Sequence, residues 1–353
     1  MKSTYSIFFP TPAPNMFTTL QPPHGLLQFC RVMVVVITLF SSATFSSAIP
    51  YQLHPDEVTA LKQIDKRLTQ GGQPFELGGA CSQDSEANST SVCNCTLNLN
   101  NDSYCHITSL SLKTLNFQGK LPSEMVNLTY LKYLDLTRNY ISGNIPKEWA
   151  SMKHLTNLSL TSNRLSGNIP GYLGSFRSLT YLSLEANQFS GTIPSQLGDL
   201  VNLKDLILSS NQLEGTLPKT LAKLNLTNFR ASDNNLSGRI PDFIGKYWSY
   251  LDRLELYASG LQGPIPNAIL SLEKLTDLRI TDMSGPEFNL TNIPPKVKRL
   301  FVNCPVLRNI NLTGVIPTDV WTMASLTTLK FDRAPYDYTL YPNQMLLDYS
   351  QPP

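Results

Sequence analysis

Four histidines, at positions 24, 54, 106 and 154, are where acid–base or metal chemistry would have to start. They are scattered, and none stands beside a nucleophile in a recognisable order. A Ser-His-Asp arrangement with its local signature, a helical HExxH pair for zinc and a phosphate-cradling glycine loop are all missing. Carboxylate pairs such as Asp252 and Glu255 suit solvated positions on a regular face better than an acid–base couple. No catalytic residue, cofactor or metal site is expected, and the chain is read as a non-enzyme. The residue types support two other kinds of chemistry: oxidation of paired thiols, and noncovalent recognition by rows of polar, aromatic and arginine side chains.

Of six cysteines, Cys81, Cys93, Cys95 and Cys105 fall within 25 residues, whereas Cys30 and Cys304 stand apart. An even cluster suits two disulfides in a secreted chain. Cys93 and Cys95 point the same way on an extended segment, so each is expected to bond outward, to Cys81 or Cys105. Secretion has its own signal: Arg31, the apolar run Val32 to Phe40, then Ser46 to Ala48 as a cleavage site before Ile49. The nine apolar residues fall well short of the roughly 20 that a spanning helix needs. No membrane contact is expected unless the signal is retained. The 28 Lys and Arg balance 26 Asp and Glu, which leaves no basic field for nucleic acid.

Nine sequons of the form Asn-x-Ser/Thr, at Asn88, Asn94, Asn101, Asn127, Asn157, Asn225, Asn235, Asn289 and Asn311, are candidate glycan acceptors in that compartment.

The elements that position these residues come from a repeat. LKYLDLTRNYISGNIP begins at Leu131, LTNLSLTSNRLSGNIP at Leu155, LTYLSLEANQFSGTIP at Leu179 and LKDLILSSNQLEGTLP at Leu203, spaced by 24 residues. Weaker copies begin at Ile107, Leu226, Leu251, Leu275, Val297 and Leu326. Period-two alternation in LxL predicts a short strand with its leucines on one side, and a single coil cannot bury them alone, so neighbouring coils must stack. The expected fold is α/β: a right-handed leucine-rich-repeat solenoid of about nine to ten plant-type 24-residue coils, with an N-terminal helical, disulfide-containing cap. The expected division is leader and signal 1–48, cap 49–106, repeats 107–332 and a non-repeat tail 333–353. Within the cap, Val58, Leu61, Ile64 and Leu68 have helical spacing. A glycine recurs from coil to coil where a turn needs it.

Asn139, Asn163, Asn187, Asn211 and Asn234 fill the position after the strand, where an amide can satisfy turning backbone; Ser259, Met283 and Ile310 replace it later. A regular front half and a looser back half are expected. The coil from Val297 is 29 residues long, and deleting Phe301 to Pro305 restores 24 and removes the unpaired Cys304. Those five residues read as a splice or gene-model insertion, with a loop bulge as the alternative.

The residue between the two strand leucines faces the concave side. Candidate partner-binding residues are Tyr133, Asp135, Asn157, Ser159, Tyr181, Ser183, Glu185, Arg230, Arg253, Glu255, Tyr257 and Arg279. Aromatic and arginine side chains are the usual interface anchors.

The segments DEVTALKQI (Asp56 to Ile64), SVCNCTLNLNNDSYCHITSLSLK (Ser91 to Lys113), LDLTRNYISGNIPKEW (Leu134 to Trp149) and LRNINLTGVIP (Leu307 to Pro317) resemble the ectodomain of plant leucine-rich-repeat receptor-like serine/threonine kinases, in the subfamily carrying a malectin-like domain. The resemblance covers about residues 50–332. It implies a plasma-membrane receptor whose repeats face the apoplast and meet an extracellular peptide, glycan or protein ligand and a co-receptor kinase. Malectin-like, membrane and kinase motifs do not appear, so the expectation is an ectodomain fragment or receptor-like form, secreted as given. The competing expectation is a secreted inhibitor similar to plant polygalacturonase inhibitors. Those typically end in a disulfide-bonded back cap, and the lack of paired cysteines after residue 105 counts against it.

Overall fold

Each repeat contributes a short strand, and the strands stack in parallel. The structure, a computed structural model, describes residues 52–70, 91–95 and 104–280, together with the backbone of Arg299–Val302, Thr328–Lys330 and Thr339–Leu340. The segment 1–48 and residues Cys81, Asn88, Asn101, Met283, Asn289, Cys304, Ile310 and Asn311 lie outside the described residues.

Coil by coil, the larger sheet runs through Tyr104–Ser111, Tyr133–Asp135, Asn157–Ser159, Tyr181–Ser183, Asp205–Ile207, Asn228–Arg230, Arg253–Glu255, Asp277–Ile280 and Arg299–Val302. Register follows the alternation of side chains. Leu134, Leu158, Leu182, Leu206, Phe229, Leu254 and Leu278 lie opposite one another and are fully buried. Leu136, Leu160, Leu184 and Leu208, two residues on, are fully buried as well. Burying one leucine contributes roughly 1.5–3 kcal/mol, and it is the coils on either side that cover it.

After the strand the chain turns through Arg138, Ser162, Ala186, Ser210, Asp233 or Ala258, each at a φ between +47° and +57°. Left-handed backbone is unfavourable for these residues, and in the first five the hydrogen bonds of the asparagine that follows offset it. Asn163 donates through Nδ2 to the carbonyls of Leu136 at 2.9 Å and Leu160 at 3.1 Å, and its Oδ1 accepts from the Ile141 amide at 3.1 Å. Asn139, Asn187, Asn211 and Asn234 repeat this pattern, each fastening its own coil to the preceding one. At the next position the Ser259 hydroxyl reaches the Leu261 amide, 3.3 Å away in its own coil.

The LSGNIP stretch does more than turn. Ser142–Gly143, Arg164–Asn168, Gln188–Thr192, Gln212–Gly215 and Asn235–Leu236 pair in parallel as a second sheet that the sequence did not announce. Gly167, at φ +79°, passes so close to the coil before it that an added Cβ would lie 2.8 Å from Asn144 Oδ1. Pro146, Pro170, Pro194 and Pro218 then lead into one-turn 3-10 segments, because a proline ring fixes φ and lacks only an N–H that a helix start leaves unused. On that side Trp149 Nε1 donates to the Pro122 carbonyl at 2.8 Å and Trp248 Nε1 to the Leu221 carbonyl at 3.1 Å, each across a coil boundary.

The cap helix α1 (Pro55–Leu68) forms as expected and buries Ala60, Leu61, Ile64 and Leu68. In its first turn Glu57 is buried, whereas Val58 is half-exposed. The Glu57 carboxylate accepts the Ile107 amide at 2.8 Å and lies 3.0 Å from His106 Nδ1, which ties α1 to the first strand of the stack. Burial pushes this carboxyl above the usual carboxylate range. Cys95 bonds to Cys105, and Cys93 is also disulfide-bonded, so the two neighbours do bond outward.

Toward the other end, Phe301 and Val302 continue a strand opposite Arg279 and Ile280, so the suspected insertion begins inside the sheet; residues 303–305 lie outside the described residues. Thr339–Leu340, within the tail expected to abandon the pattern, pairs antiparallel with Thr328–Lys330.

Candidate functional site

The candidate residues share the exposed face of the larger sheet because strand register aligns them. One row runs Tyr133, Asn157, Tyr181, Asp205, Asn228, Arg253, Asp277; the next runs Asp135, Ser159, Ser183, Ile207, Arg230, Glu255, Arg279. Most of the second row is a floor rather than an open surface: Ser183 and Glu255 are each 1% exposed and Asp135 is 6% exposed, whereas Arg230 and Arg279 of the same row stay partly exposed.

The front of the wall is a hydroxyl network. Tyr133 donates to Asp135 Oδ2 at 3.0 Å, Lys113 Nζ lies 3.2 Å from the same oxygen, and the Thr137 amide donates to Oδ1 at 3.0 Å. Burial, reinforced by the Asp135 charge, pushes the Tyr133 phenol up to about 12. A chain of hydroxyls continues from Thr137 to Ser159 at 2.8 Å, Ser159 to Thr161 at 3.2 Å and Thr161 to Ser183 at 2.6 Å. Above it lies a recess of about 320 Å³ lined by Tyr133, Asn157, Tyr181 and Glu185 among others. Burial raises the Tyr181 phenol as well.

The back of the wall is a lattice of charge. Arg230 bonds Glu255 at 2.8 Å and also Glu185. Arg279 lies 3.4 Å from Glu255 and 2.9 Å from Asp277, and Arg253 lies 3.1 Å from Asp277 and 3.8 Å from Glu255. Glu255 therefore faces three guanidinium groups, which satisfies a carboxylate that water scarcely reaches. Burial raises the Glu185 carboxyl, Arg230 pulls it back, and Glu255 pushes it up further. Burial likewise raises the Tyr257 phenol beside this lattice.

All twelve candidates thus meet on one face, but as two zones of different chemistry. Lys113 and Asp277 complete the zones without standing among those twelve; the signal for Lys113 is its place in the first coil, in register with Thr137. Of the sequons, Asn127 and Asn235 are exposed away from this wall, Asn94 ends the strand Ser91–Asn94, and Asn157 lines the recess. Asn225 has its Oδ1 buried with no hydrogen-bond partner among the described residues. What the wall can do is hold an extended partner by polar, aromatic and arginine contacts.

The Leucine Rich Repeat family model matches residues 130–152, 154–176, 178–200, 202–224 and 225–247. A probable LRR receptor-like serine/threonine-protein kinase of Arabidopsis thaliana is 42% identical over 129 residues, 33% of this chain and 12% of the relative. The chain therefore spans about an eighth of such a relative's length. Among solved structures, the Arabidopsis receptor kinase HAESA, in complex with the peptide hormone IDA and the co-receptor SERK1, is similar with a TM-score of 0.59 and 26% identity, over 71% of this chain and 42% of that one. A plant ice-binding protein is similar with a TM-score of 0.56 and 26% identity, over 71% of this chain and 80% of that one. The chain is a leucine-rich-repeat solenoid, and its repeats are homologous to those of plant LRR receptor-like kinases.

Proposed function

We propose that this chain is the extracellular recognition array of a plant receptor-like serine/threonine kinase of the malectin-containing subfamily. It docks an extended peptide along its concave wall beside a co-receptor kinase. Phosphotransfer would belong to a part of the receptor outside these repeats, and the array itself would work in the apoplast, secreted or held at the plasma membrane by such a part. The observation that supports this most is the unbroken strand register over seven coils from Tyr133 to Arg279, which aligns polar, aromatic and arginine side chains at every position of the two rows but Ile207. HAESA, a similar solenoid, is in complex with a peptide hormone and a co-receptor, which favours a peptide over a glycan as the first ligand to try.

The test is a collection of synthetic secreted-type peptides passed over the immobilised chain, with binding read by interferometry. A peptide should bind, and Arg253→Ala with Tyr257→Ala should weaken it at least tenfold, about 1.4 kcal/mol. An intact chain that captures no peptide but inhibits a fungal polygalacturonase would replace this function with the inhibitor one.

A further inference from the structure

The residues Asn157-Leu158-Ser159 form a sequon inside a strand, and this has a geometric consequence. Side chains alternate along a strand, so the acceptor asparagine and the serine two residues later share one face. Here that face is the concave wall, and Asn157 lines the recess. In register, Tyr133 lies opposite Asn157 on one side and Tyr181 on the other. The five ladder asparagines, by contrast, have every amide nitrogen engaged with backbone carbonyls, and none of them heads a sequon. Asn157 Oδ1 accepts from Thr156 Oγ1 at 2.9 Å, while its Nδ2 makes no hydrogen bond among the described residues.

We infer that Asn157 carries an N-linked glycan whose first sugar fills the front recess between Tyr133 and Tyr181, so that a partner docks only on the charged back half of the wall, from Asp205 to Arg279. The reaction precedes folding: Nδ2 bonds to the anomeric carbon of an oligosaccharide carried on a lipid pyrophosphate, the sugar–phosphate C–O bond breaks, and the lipid pyrophosphate leaves with the amide proton. The burial of Ser159 in the finished fold is therefore no obstacle. The recess suits the product, because its hydroxyl floor offers donors and acceptors to sugar hydroxyls and the two phenol rings offer apolar faces. Asn127 and Asn235 stand on other surfaces, so glycans there leave the wall open.

The restriction on docking rests on the concave-face function proposed above, but occupancy can be measured without any ligand. Full-length chain secreted from plant cells yields, with trypsin, the peptide His154 to Arg164, in which Asn157 heads the one sequon. Mass spectrometry should find this peptide predominantly glycosylated, with conversion of Asn157 to an ¹⁸O-labelled aspartate on enzymatic release in heavy water. Hydroxyl-radical labelling of Tyr133 and Tyr181 should at least double in Asn157→Gln. Enzymatic deglycosylation of the folded wild type gives the same comparison should that variant fail to be secreted. An unmodified peptide, or equal labelling with and without the glycan, would overturn the inference. Either result would leave concave-face docking standing, whereas a bound peptide indifferent to Arg253 and Tyr257 would remove the docking and leave the glycan.

Discussion

Arg230 Nε lies 2.8 Å from Glu255 Oε2 across adjacent strands of the wall. The same guanidinium bonds Glu185 two coils earlier, so one side chain ties together a span of four coils. Glu255 is the hub, since Arg253 and Arg279 approach its other oxygen.

Removing the hub leaves three partly covered cations without their shared counter-charge. Glu255→Ala should lower unfolding stability by about 3 kcal/mol. The denaturant midpoint should fall with little change in slope. A loss within about 0.5 kcal/mol, the usual range for a surface substitution, would show that water replaces the carboxylate cheaply.

The asparagine ladder predicts how protection varies along the chain. Asn187→Ala removes the acceptor of the Leu165 amide and the donor to the Leu160 and Leu184 carbonyls, and should cost about 2–3 kcal/mol. In hydrogen exchange the Leu165 and Phe189 amides, held by asparagines at 3.0 Å, should be slower than the Leu261 amide, held by Ser259 at 3.3 Å. Equal protection at all three would sink the idea of a looser back half.

Acid titration tests Glu185. Burial raises its carboxyl above the ordinary 4.5 despite Arg230, so the folded chain keeps a proton that the unfolded chain has already lost. Its stabilising contribution is fully present below that unfolded value and disappears as pH rises through the folded one. Wild type should therefore gain stability relative to Glu185→Gln when acidified from neutral pH toward 4.5. A difference that does not change with pH would contradict the assignment.

The cap is the tightest joint. Gly119 donates its amide to the Leu68 carbonyl at 3.0 Å, and a Cβ there would sit 1.9 Å from the Arg67 carbonyl oxygen. Gly119→Ala must push α1 away from the first coil, at a cost of about 2 kcal/mol or more. Faster tryptic cleavage after Arg67 would register the loosening, and wild-type cleavage rates would count against it.

What could be read from the residues alone follows from which interactions are periodic. Leu134 and its equivalents repeat every coil, so strand, register and facing direction were all legible. Asn163 was legible for the same reason, because an amide recurring after each strand has a turn to satisfy. The second sheet was not, because Arg164-Leu165-Ser166-Gly167-Asn168 looks like a turn and becomes a strand only when the next coil supplies a partner. Nor was the covering of the floor legible. Whether Glu255 or Ser183 meets solvent depends on the length and pairing of side chains in neighbouring coils, which a column of letters does not weigh. The same holds for Glu57, whose burial follows from an amide 50 residues away.

The lattice around Glu255 also bears on how quickly a partner can arrive. Three arginines and three carboxylates cancel within a few ångströms, so little field extends beyond the roughly 10 Å over which salt leaves charges visible. An approaching molecule is not drawn in from a distance. Its encounter rate should be ordinary and nearly indifferent to ionic strength, and discrimination between partners should appear in how slowly the right one departs.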